Sequence, residues 1–135
     1  MDFNKAPDIQ KKLNHILKHV DFPHIDGKRI IAFRSKGGKA RARARIWSMP
    51  RIWQKALDIK AHYVIEVISK HFDHLKEDDQ IKILIHELMH IPKTFSGALV
   101  PHKGAYGRHH VHHSKINKLF KKYKTKTRKK NTLGF

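Results

Sequence analysis

Residues 86–90 read HELMH, and they lie in a stretch with few options other than a helix. Asp78 or Asp79 can cap a helix that Pro92 must stop, so the spacing predicts one running to about Ile91. Within it Ile81, Leu84, Ile85 and Leu88 recur on one face. At about 100° per residue, His86 and His90 point roughly 170° away from the centre of that apolar stripe. Such a helix can bury one side in a core and offer two imidazoles, one turn apart, to a cleft. Ile83 and Ile91 fall near the histidine side, so the cleft is expected to be partly apolar.

Two histidines four apart can share one metal ion, and Glu87 beside them can reach a water on that ion. Five letters alone are weak evidence in a chain with 13 histidines. The competing interpretation is a pair of ordinary surface histidines, and the orientation of the apolar stripe weighs against it. With no cysteine in the chain, a transition-metal site must draw on His, Asp or Glu. Catalytic zinc needs three protein ligands and one open position. His102 is the first candidate for the third ligand, because a Gly- and Pro-containing loop after His90 can carry it back. His109, His110, His112 and His113 are its rivals. With zinc bound, Glu87 is expected to act as general base. Tyr106, Arg108 and His109 are candidate oxyanion or substrate contacts. Glu66 or Asp73 could hold a ligand imidazole, although a solvent-facing charge is the simpler role for either.

The chain has 135 residues, 39% hydrophobic and 30% charged, which fits one soluble domain with its own core. The expected division is a domain over 1–123 and a loose basic tail over 124–135. No apolar run is long enough for a membrane span, and the N-terminus lacks a signal peptide's apolar core, so the expected location is the cytoplasm. The formal net charge is +19. Glu87 is the last acidic side chain, and twelve Lys and Arg follow it. A field of that sign attracts polyanions, so DNA or RNA is a candidate partner through the basic surface and tail, beside a peptide or protein substrate.

Residues 7–20 read as an amphipathic helix with Pro7 in its first turn. Arg29–Ser35 reads as a strand, and Lys36–Lys39 (KGGK) as a hairpin-type turn. Ala40–Trp47 reads as a returning strand with Arg41, Arg43 and Arg45 on one face, or alternatively as a helix. A short helix is expected after Pro50, and a strand over Tyr63–Ser69. As a sheet edge, that strand could pair with extended substrate; as an interior strand it could not. A final helix is expected around Ile116–Tyr123.

HELMHIPKTFSGALVPH (86–102), preceded by ARIWSMPRIWQKAL (44–57) and YVIEVIS (63–69), resembles a family of small archaeal metallopeptidases. More broadly it is similar to minimal zincins, including SprT-like and phage-type metallopeptidases. The resemblance implies a single-domain α+β fold with a small sheet, an HExxH active-site helix and flanking helices. It also implies a zinc-dependent hydrolase and a third histidine downstream, which supports His102. Lys93 stands where metzincins have Gly, and no glutamate follows Glu87 to serve as a gluzincin ligand. Three functions compete. One is a peptidase, with recruitment to nucleic-acid-associated proteins as a variant of it; another is a basic nucleic-acid-binding protein with a structural, non-catalytic zinc. The third is a zinc amidase or deaminase-like hydrolase.

Overall fold

The computed structural model describes residues 1–102 and 113–133, with side chains as far as Arg128. Four strands form one mixed sheet: β1 (Asp2–Lys5), β2 (Ile30–Lys36), β3 (Ala44–Trp47) and β4 (Tyr63–Ile68), in the order β1-β2-β4-β3. β2 and β4 run parallel; β1 and β3 flank them antiparallel. The branched residues of β2 and β4 suit these central positions. Ile30 and Ala32 on β2 share a face with Tyr63, Ile65 and Val67 on β4, and all five are buried.

That face is covered by helices α1 (Pro7–His19) and α4 (Glu77–Leu88). Ile9, Leu13 and Ile16 of α1 meet Ile81, Leu84, Ile85 and Leu88 of α4 in one core. At about 25 cal/mol per Å² of apolar surface removed from water, this shared core is the main force holding α4 against the sheet. α2 (Arg51–Leu57) and α3 (Ser69–Phe72) are short connectors. α5 (His113–Leu133) packs across α1 and α4 through Ile116, Leu119, Phe120 and Tyr123. The Tyr123 hydroxyl lies 2.7 Å from His15 Nδ1 on α1. The architecture is the small α+β fold that the resemblance implies. No helix among the described residues is long and apolar enough to cross a membrane.

Several expectations need correction. KGGK is not a hairpin turn, because β4 lies between β2 and β3. Ala40–Trp47 is a strand only from Ala44, and no part of it is helical. Tyr63–Ile68 is interior, bonded on both sides, so it offers no edge to a substrate; among the described residues β3 is the edge strand beside α4. α4 starts at Glu77 without a side-chain cap, and Asp78 and Asp79 instead sit in its first turn, where their charge favours the helix dipole. β1 and α3 are additional to the elements that periodicity suggests. The residues read as a loose tail are helical in continuity with α5 as far as Leu133.

Candidate metal centre and active site

α4 carries His86 and Glu87 on its last turn, and its apolar stripe fixes their direction. Ile81, Leu84, Ile85 and Leu88 are at most 2% exposed, so the helix cannot rotate without emptying the core. Regular α geometry stops at Leu88, earlier than expected. His90 N–H donates to the Glu87 carbonyl and Ile91 N–H to that of Leu88, so the chain leaves in a tightened turn. His90 still lands beside His86.

The loop after Pro92 returns His102 to the same place, and specific bonds hold its path. Tyr63, fully buried on β4, accepts a bond from Gly97 N–H and donates to the Ala98 carbonyl, both at 2.8 Å. Phe95 packs edge-to-face with the Tyr63 ring, and the Arg29 guanidinium lies over the Phe95 ring. Met49 N–H donates to the Gly97 carbonyl, and the Gln54 side-chain amide donates to the carbonyls of Met49 and Ser96. Gly97 has φ of +95°, and a Cβ there would strike the Met49 carbonyl and the Gln54 amide. Only glycine fits this crossing.

Val100 then grips His90 twice. Its N–H donates to the His90 carbonyl at 2.7 Å, and its carbonyl lies 2.6 Å from His90 Nδ1. The second contact makes Nδ1 the donor and leaves Nε2 with a free lone pair, the arrangement a ligating imidazole needs.

The structure brings together His86, His90 and His102, whose ligating nitrogens all lie within 4.8 Å of one another. His86 Nε2 is 3.1 Å from His102 Nε2 and 3.4 Å from His90 Nε2. Tetrahedral zinc with bonds of 2.0–2.1 Å requires ligand atoms about 3.3 Å apart, so these spacings fit the ion. No other described His, Asp or Glu joins the set.

Burial, helped by the other histidines, lowers the pKa of His86 to about 4. Burial likewise lowers that of His90. Both rings are therefore held in the neutral form that binds metal. Burial raises the Glu87 pKa to about 7. Glu87 is 8% exposed, and no described side chain bonds to its carboxyl. A cavity of about 360 Å³ opens beside it, bounded by Arg43 and Ala44 of the β3 region, Lys82, Ile83 and His86 of α4, and His113 and Asn117 of α5.

The remaining candidates separate cleanly. Tyr106, Arg108, His109, His110 and His112 lie outside the described residues. His113 lines the cavity but is not among the clustered ligands. Glu66 neither holds a ligand imidazole nor faces solvent: at 1% exposure it accepts bonds from Ser35, Arg45 and Trp47. Asp73 accepts from Arg34 and Ser69, away from the site. Tyr63, Gln54 and Val100 have no sequence signature as site-building residues. Gly97, in a loop between two candidate ligands, comes nearest to one.

Fold and site together define an α+β protein in which three histidines that could hold a metal converge at the end of the helix bearing the HExxH sequence. The chain belongs to the family described as "Putative phage metallopeptidase", whose model matches residues 1–124. No curated protein and no solved structure matches it.

Proposed function

We propose that this protein is a zinc-dependent peptidase acting on extended segments of protein chain, with His86, His90 and His102 as ligands and Glu87 as general base. One observation carries the reading: a buried carboxyl with no described partner stands next to three converging imidazoles, at the mouth of a cavity. A structural zinc would need a fourth protein ligand and has no use for such a carboxyl. Family membership supports the peptidase class over an amidase or deaminase.

When bound, zinc supplies Lewis acidity, acidifying a water and polarising the scissile carbonyl. Glu87 takes the proton from the attacking water and delivers it to the leaving amine. Its raised proton affinity suits both halves of that transfer near neutral pH. The Val100 carbonyl keeps the His90 tautomer fixed throughout. His113 joins Tyr106, Arg108 and His109 as a candidate donor to the developing oxyanion.

β3 is where substrate would lie. Among the described residues its outer edge has no strand partner, and it borders α4. An extended peptide can add there by main-chain bonding. α2, which follows β3 directly, exposes Ile52, Trp53 and Leu57, an apolar surface suited to an unfolded chain.

The test combines elemental analysis with Glu87→Gln. The variant is expected to retain one zinc per chain and to lose at least about 100-fold in hydrolysis of an unfolded protein. Undiminished hydrolysis would remove Glu87 from the mechanism; a parent protein that binds zinc and cleaves nothing would return the site to a structural role.

A further inference from the structure

α5 is about 31 Å long at 1.5 Å per residue. Nine of its 21 residues are Lys or Arg and none is acidic. Its apolar stripe is already used: Ile116 and Tyr123 are buried, and Leu119 and Phe120 pack partly buried on the core. The outward residues include Lys115, Lys118, Lys121, Lys122 and Lys126, all exposed, with Thr125 among them. Lys124 is turned aside to Asp78 at 3.1 Å.

Surface helices that serve only solubility mix their charges. The exposed sides of α1 and α4 do so, with Asp8 near Lys11 and Lys12, and Glu77, Asp78 and Asp79 near Lys82. On α5, Lys118 faces Lys122 and Lys122 faces Lys126 at four-residue spacing, while Lys115–Lys118 and Lys118–Lys121 stand three apart. Each pair repels and weakens the helix. A polyanion along this face would turn every one of those repulsions into an attraction.

We infer that the outer face of α5 is a docking surface for the phosphate backbone of double-stranded nucleic acid. The chemistry favours this polyanion over two others. An anionic membrane is engaged by a basic helix that also inserts apolar side chains, and those of α5 are committed to the core. Single strands are gripped by stacking on aromatic rings, and the outward face carries none among the described residues. A straight rod of point charges matches a duplex, which presents a phosphate about every 1.7 Å of its axis. Lysines bind phosphates without reading bases, so docking is independent of sequence.

The inference stands apart from the peptidase reading and is tested separately. Binding of the full chain to a short mixed-sequence DNA duplex is followed by fluorescence anisotropy as salt rises. Affinity is expected to fall about 10²- to 10³-fold between about 50 and 200 mM salt, as for roughly five neutralised phosphates. Replacing Lys118, Lys122 and Lys126 together by Gln should reduce the salt slope by about 3. The Glu triple variant should weaken binding further. Circular dichroism and zinc content check the fold of both variants, and Glu87→Gln should bind the duplex like the parent. The inference is overturned if the duplex is not bound at 50 mM salt, or if a correctly folded triple variant binds as tightly as the parent. Preference for single strands of equal charge, or for phosphatidylserine vesicles, would overturn it equally.

Discussion

Glu66 and Glu87 are both nearly inaccessible carboxylates, and they sit in opposite surroundings. Glu66 lies at the middle of the sheet on β4 and receives three donors, from Ser35, Arg45 and Trp47. Burial pushes its carboxyl up, but those bonds more than reverse the push and hold it below its ordinary value. Glu87 receives no such donors among the described residues, and burial carries it up to about 7. Burial therefore does not mark a functional acid. The carboxylate with three donors ties three strands together, while the one that lines the cavity is, on the proposed reading, the group that exchanges a proton beside the histidines.

The sharpest way to break this contrast is to remove the metal site from one side of it. His102→Ala should lower zinc affinity by more than the 10- to 100-fold typical of losing a supporting contact, as measured by competition with a chromogenic chelator. Glu66→Ala should leave zinc affinity unchanged but cost about 3 kcal/mol in urea unfolding, because the Ser35 and Trp47 donors lose their acceptor. If it instead abolished zinc binding with the fold intact, the division of roles between the two acids would be wrong. Tyr63→Phe, which strips two bonds from the 93–102 loop, is expected to cost about 1–2 kcal/mol and to weaken zinc binding modestly. It links the sheet to the site without touching either carboxyl.

A separate effect is expected in the pH profile of the metal-free protein. The folded chain holds the Glu87 proton up to about pH 7, whereas an unfolded glutamate loses it near 4.5. Stability from this group is therefore present at low pH and declines as pH rises from 4.5 to 7. His86 acts oppositely: the unfolded ring takes up a proton below about 6.5 and the folded one only near 4, so stability declines as pH falls through that window. Denaturant melts of metal-free Glu87→Gln should lack the decline on the rising side and keep the one on the falling side. A variant that retained both would show that Glu87 is not the group responsible.

Much of this arrangement is legible in the amino-acid order itself. The helical placement of His86 and His90 follows from the 81–88 apolar stripe, and the return of His102 from the glycines and proline in the loop. α1, α2 and β4 also follow from periodicity and branched residues. What escapes has non-local causes. β1 (DFNK) has almost no strand signal and exists because β2 supplies a partner. The interior position of β4 depends on β3 crossing over to its far side, which no local pattern encodes. Glu66 resembles a surface charge in sequence because its three donors lie 19 to 31 residues away. The boundaries of α4 at Glu77 and Leu88 differ from expectation by a few residues, as terminal turns often do.

Tyr63 has a consequence for how the protein responds to chelators. Its ring belongs to the hydrophobic interior, and its hydroxyl grips the backbone at Gly97 and Ala98. The loop that delivers the third imidazole is thus moored to the same interior that stabilises the whole chain. Unlike a zinc finger, which melts when its ion is stripped, this scaffold should stay folded and take the ion up again with little reordering.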